Sequence, residues 1–295
     1  MSAANVIKLL LLAAIWGASF LFLRIAAPVL GPVAVVTARL TLGAVFLLGV
    51  ALIQRRSLDI RAHWKHFLIL GFLNTAFPFI LFAYAAQTLP ASLLSILNST
   101  APIFGMVISA VWLRTAFTWK SGAGLALGVL GVAILVGLDT GNLTPAAGLA
   151  VGAGLLAALC YGLASAYAKQ ARSVDGFSNA HGSLWAAVLF ILPVAPAYPP
   201  VHMPSMLVIF AVLGVGILCS GLAYLLYFDL IEKVGVGPAL SVGFLIPVFG
   251  VLWGSLFLHE HIGVQTVLGG AVVLVGTALI TGFDPRSLFR KPVTA

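Results

Sequence analysis

Charged side chains are scarce in this chain: they make up 7% of its 295 residues. A soluble domain carries roughly 25%, and a surface this poor in charge does not stay dissolved. A soluble enzyme, a disordered chain and a disulfide-rich secreted module are therefore excluded together. Acids are scarcer than bases, with seven Asp and Glu against fifteen Lys and Arg. Cysteine is limited to Cys160 and Cys219. Both lie in apolar runs and read as small packed side chains. Long polar stretches are missing too; only 54–65 and the tail 284–295 read as loops, and no soluble domain is expected at either end.

What the chain has in abundance is apolar sequence, 62% of the residues. A bilayer core of about 30 Å needs about 20 such residues per helix. Turn-forming breaks divide the sequence into ten runs of that order, near 6–26, 33–53, 66–86, 93–113, 121–138, 148–168, 178–198, 206–228, 236–258 and 262–282. The runs are continuously apolar rather than alternating, which excludes a β-barrel. The first run is too long for the apolar core of a secretory signal and reads as a retained span. The expected class is an all-α polytopic membrane protein of ten transmembrane helices.

Cations concentrate in cytoplasmic loops. With the N-terminus inside, the inner segments hold Lys8, Arg55, Arg56, Arg61, Lys65, Arg114, Lys120, Lys169, Arg172, Lys233, Arg286, Arg290 and Lys291, and the outer loops hold none. Arg24 and Arg39 fall within helices. Both termini are thus expected in the cytoplasm.

Sliding the chain against itself by 145 residues aligns the two halves without a gap. Gly17, Gly71, Gly105, Gly124, Gly131 and Gly137 fall on Gly162, Gly216, Gly250, Gly269, Gly276 and Gly282. Pro102-Ile103-Phe104-Gly105 falls on Pro247-Val248-Phe249-Gly250. Each half holds five helices, an odd number, so the halves must enter the membrane from opposite sides. The expected units are 1–140 and 146–283, followed by a cytoplasmic tail, 284–295. Inverted repeats place a substrate site near the midplane between the halves and support alternating access.

Trp16-Gly17-Ala18-Ser19-Phe20 in the first helix, Arg39 in the second and a proline in the fourth and ninth resemble the EamA family of the drug/metabolite transporter superfamily. The turn Leu258-His259-Glu260-His261-Ile262 is similar to that family's Leu-Gly-Glu-Arg type turn. Its counterpart, Leu113-Arg114-Thr115-Ala116-Phe117, departs from it, with Thr115 at the acidic position. The resemblance covers essentially the whole chain. It implies a carrier of small metabolites in the inner membrane, within the family most like the amino-acid exporters of the YddG type.

Candidate cavity residues are aromatic, amide or charged side chains inside spans: Trp16, Phe20, Arg39, Asn74, Phe79, Asn98, Ser99, Tyr161 and Tyr224. Such a lining is mostly neutral and suits a moderately hydrophobic metabolite. Arg39, the deepest charge, is placed to receive a substrate carboxylate, pair with helix carbonyls or snorkel outward. Arg24, near its helix end, reads as snorkelling, and Tyr84 and Tyr227 as interfacial belt residues. Pro78, Pro102, Pro247 and Gly243 are candidate hinges, because each proline removes a helix hydrogen bond. Glu260 is placed to cap the tenth helix.

No Asp or Glu falls mid-span, which argues against an exchanger built on a membrane carboxylate. Ser19 and His181 differ in depth, so a hydrolase pair is not expected. His259 and His261 lack the His-Glu-x-x-His spacing of a helical metal site. No metal, cofactor or nucleic acid is expected. The expected partners are a small-molecule substrate and the lipid bilayer, with a monomer favoured over a dimer. Multidrug or quaternary-amine export, and a nucleotide-sugar or phosphate-ester carrier, are the alternatives to amino-acid export.

Overall fold

A computed structural model describes residues 1–137, 144–171 and 174–282. The expectations for Arg172, Arg286, Arg290, Lys291 and the tail 284–295 lie outside these residues. Ten helical segments follow one another: α1 (Ala3–Leu30), α2 (Pro32–Ile53), α3 (Ile60–Ala85), α4 in two pieces (Ala91–Asn98 and Ala101–Trp112), α5 (Trp119–Gly137), α6 (Pro145–Gln170), α7 (Gly176–Ile191), α8 (Met206–Val234), α9 in two pieces (Val236–Leu240 and Val242–Leu258) and α10 (Val264–Thr281). Eight are long and apolar enough to cross a bilayer; α5 and α7 present shorter apolar stretches.

Three boundaries differ from expectation by six residues or more, one of them the end of α8 at Val234, not 228. The helix α3 begins at Ile60, not 66, so half of the expected polar loop is helical. This turn has a use: His66 contacts the Tyr167 hydroxyl on α6 and the Asn179 amide on α7, at 3.3 and 3.1 Å. The helix α7 stops at Ile191, not 198. Pro193 and Pro196 follow, and hydropathy alone does not register that proline cannot continue a helix.

The halves are interlocked rather than adjacent. The helix α1 packs on α8 and α9, while its mate α6 packs on α3 and α4; α2 packs on α8, and its mate α7 on α3. Two mate pairs, α2 with α7 and α5 with α10, pack on each other. The repeat glycines are the points of contact. A Cβ on Gly17 would lie 2.7 Å from Cβ of Phe249 and 3.0 Å from the Gly250 nitrogen. A Cβ on Gly162 would lie 2.7 Å from the Gly105 nitrogen and 2.9 Å from Cβ of Phe104. The Pro-x-Phe-Gly of each half thus seats against the first-helix glycine of the other. Gly124 approaches the Gly276 carbonyl and Gly131 the Gly269 carbonyl in the same reciprocal way. In a bilayer, where lipid tails are as apolar as leucine, close backbone approach of this kind drives helix association.

Equivalent π-helical turns interrupt α3 (Gly71–Ala76) and α8 (Gly214–Leu222). In α3 the turn precedes Pro78, and the Phe77 amide donates to the Phe72 carbonyl five residues back. Helical hydrogen bonding is therefore already shifted where the proline enters. The break in α4 falls at Ser99-Thr100, just before Pro102. There the hydroxyls of Ser99 and Thr100 donate to the carbonyls of Ile96 and Leu97, each at 2.7 Å. In α9 the break is at Ser241, whose amide and hydroxyl both donate to the Pro238 carbonyl. Gly243 and Pro247, both expected as hinges, lie beyond this break within the continuous piece Val242–Leu258.

Arg24 reaches the end of α3, where its guanidinium donates to the carbonyls of Ala86 and Gln87, at 2.9 and 2.7 Å. Two surface expectations change. Tyr227 packs its ring on Trp16, with centroids 5.3 Å apart, whereas Tyr84 is exposed. Glu260 does not cap α10. Its carboxylate accepts from the backbone amides of Ala91 and Ser92, at 2.6 and 3.0 Å, and so caps α4.

Candidate functional site

A cavity of about 180 Å³ lies where the halves meet. Eight of the nine expected cavity residues line it: Trp16, Phe20, Arg39, Asn74, Phe79, Asn98, Tyr161 and Tyr224. Ser99 is not among them. It is buried at the α4 break, where its hydroxyl serves Ile96 and its carbonyl accepts from Thr277. Ser19, Leu23, Phe82, Cys219 and Ile246 line the cavity as well. Of these, Cys219 had a sequence signal: it is the repeat mate of Asn74.

Three pairs of repeat mates converge here, namely Trp16 with Tyr161, Asn74 with Cys219, and Phe79 with Tyr224. Convergence of mates is what a pseudo-twofold axis through the cavity produces. Asn74 and Cys219 are both carried on the π-helical turns. Such turns are frequent at functional sites because they displace side chains from regular helical register.

The wall is a near-continuous series of rings. Phe20 meets Phe82 edge-on at 5.5 Å, Phe82 stacks on Tyr161 at 6.2 Å, and Trp16 meets Tyr224 edge-on at 6.0 Å. The Trp16 indole N–H is used structurally and donates to the Cys219 carbonyl at 3.1 Å. Its ring is therefore fixed against α8, with the π-face left for packing.

Arg39 is 7% exposed. Its Nε–H donates to the Ser220 hydroxyl at 2.9 Å, and its guanidinium carbon lies 3.6 Å from the centroid of Phe79. Ser220 in turn donates to the Val215 carbonyl within the π-helical turn of α8. One edge and one face of the guanidinium are thus occupied. Among the described residues the terminal nitrogens have no hydrogen-bond partner, and neither do the amides of Asn74 and Asn98 or the hydroxyls of Tyr161 and Tyr224. No carboxylate lines the cavity, and among the described residues the ion pairs are those of Asp229 with Lys8 and Lys233.

Interlocked five-helix halves enclosing a central cavity, with polar groups aimed into it, define a polytopic membrane protein built around a central chamber. Comparison with known proteins makes this specific. The chain belongs to the EamA-like transporter family, which matches residues 4–137 and again 148–282. It is 26% identical over 275 residues to the uncharacterized transporter YoaV of Bacillus subtilis, covering 90% of this chain and 93% of that one. It is 25% identical over 217 residues to a protein of Streptantibioticus cattleyicolor described as a "Probable terminal-alkyne amino-acid exporter", covering 72% of this chain and 70% of that one. A crystal structure superposes with a TM-score of 0.65 at 17% identity, covering 95% of this chain and 96% of the other, and supports the fold alone.

Proposed function

We propose that this protein is a secondary transporter of the inner membrane that exports small metabolites, foremost amino acids with apolar or aromatic side chains. The two units, 1–140 and 146–283, rock about the central cavity, with both termini in the cytoplasm. The observation that carries the reading is Arg39: a buried guanidinium, oriented by Ser220 and Phe79, that keeps its outer fork of N–H donors for a ligand. Such a fork matches a carboxylate bidentately. One cation with no acid beside it suits a carboxylate, or a zwitterion that turns its carboxylate toward Arg39. It is too little charge for a phosphate ester and is repulsive to a quaternary amine. The rings of Trp16, Phe20, Phe82 and Tyr161 then accommodate the apolar part of the solute.

The test is flux of labelled amino acids and quaternary amines in proteoliposomes, with and without an imposed pH gradient. Amino-acid exchange without a gradient is expected, lowered about tenfold or more by Trp16→Ala, Asn98→Ala and Arg39→Ala while the protein still folds. Wild-type flux in all three variants would put the substrate elsewhere. Strict dependence on the gradient would remove the uncoupled mechanism.

A further inference from the structure

The two halves share a fold, but the ends of the cavity are not equivalent, and repeat mates show where they differ. On α4, Ala91, Ser92 and Ser95 are buried, with Ser95 seated where a Cβ on Gly250 of α9 would stand. Their mates on α9 include Val236 and Leu240, which are 56% and 55% exposed. Correspondingly, the first piece of α4 packs extensively on α9, whereas the first piece of α9 makes no comparable contact with α4. The mouth beside the α3–α4 loop is closed, and the mouth beside the α8–α9 loop is not.

The closed mouth is tied from two directions. Arg24 of α1 holds the last carbonyls of α3, and Glu260 of the α9–α10 turn holds the first amides of α4. Each ion sits at the helix end whose partial charge it complements. Among the described residues neither tie exists at the other mouth. The turn there has the same shape: Arg114 and His259 are mates with φ of 52° and 53°, and the amides of Thr115 and Glu260 donate to the mate carbonyls of Ser109 and Gly254. The chemistry differs, because Thr115 has no carboxylate. Lys169, the mate of Arg24, reaches the Ser109 hydroxyl at 3.5 Å rather than the end of α8.

We propose that Glu260 is a clasp that holds the α3–α4 mouth shut and biases the transporter toward the state seen here. In the opposite state, Leu240 would seat on Gly105 as Ser95 now seats against Gly250, without a carboxylate to hold it. Glu260 is a positioning residue, since it stands away from the cavity and acts through α4. The inference rests on the alternating-access reading, but its test does not require flux.

Cysteine is placed singly at the mate positions, Ser95→Cys and Leu240→Cys, in purified protein. Maleimide labelling of each peptide is then timed by mass spectrometry. With Glu260 intact, Leu240→Cys should label fast and Ser95→Cys slowly. Adding Glu260→Gln should raise the Ser95→Cys rate about tenfold and lower that of Leu240→Cys only by the fraction of molecules that leaves the state seen here. Glu260→Asp, which keeps the charge but retracts it by one methylene, should fall between and serves if the Gln variant does not fold. Unchanged rates at Ser95→Cys would overturn the clasp. Reciprocal labelling without any flux of the tested solutes would keep the clasp and sink the proposed substrate.

Discussion

Among the described residues Arg39 carries the only charge in the cavity wall, and its energetics differ from those of an ordinary buried ion pair. Burying a cation without an acid costs stability, offset in part by the ring of Phe79 and the hydroxyl of Ser220. Arg39→Met should therefore leave the melting temperature of the purified protein unchanged or raised. It should also weaken binding of a carboxylate solute by about 10- to 100-fold, the range for losing hydrogen bonds to a charged group. A thermal-shift series with and without solute checks both. A large loss of stability would mark Arg39 as structural. That Arg39 faces a cavity was legible from its depth in an apolar run. The direction of its Nε–H was not, because Ser220 lies 181 residues away on a helix whose register is shifted by a π-helical turn. Ser99 shows the opposite limit: adjacency to Asn98 in sequence says nothing about facing, since successive helical residues turn by about 100°.

At the scale of elements, helix contacts depend on glycines whose spacing was plain at offset 145 but whose partners were not. Gly17→Ala and Gly162→Ala each drive a methyl into the backbone of the opposite Pro-x-Phe-Gly segment. Each should lower stability by about 1–3 kcal/mol. Gly152→Ala, on the same helix as Gly162 but with open space around it, should be neutral or stabilising by up to about 1 kcal/mol. Melting curves of the three variants make the comparison, and equal effects would mean the glycines are not contact points. Hydropathy found all ten helices but set the start of α3 six residues late, the end of α7 seven residues late and the end of α8 six residues early. It weighs apolarity and is blind both to an amphipathic first turn and to proline's missing N–H. The cap on α4 was invisible for a further reason: its carboxylate comes from a turn 168 residues downstream.

For the whole molecule, the alternation of chain ends makes a prediction about sidedness. The α3–α4 loop and the α9–α10 turn share one face, and the described cations outside the helices gather on the other. In intact cells, Thr88→Cys should react with a membrane-impermeant maleimide, while Arg56→Cys should react only after lysis. Both positions are exposed and the native cysteines are buried, so the background is low. The reverse pattern would overturn the placement of both termini in the cytoplasm.

The reciprocal glycine contacts have a consequence for biogenesis. The first five helices leave the ribosome before the surfaces that fill their notches have been made, so Gly17 and Gly71 wait in lipid, uncovered, until α9 and α7 arrive. Neither set of five owns a finished interior. Two co-expressed fragments split between α5 and α6 should therefore mature together or be degraded together, and lesions on either side of the split should converge on the same quality-control fate.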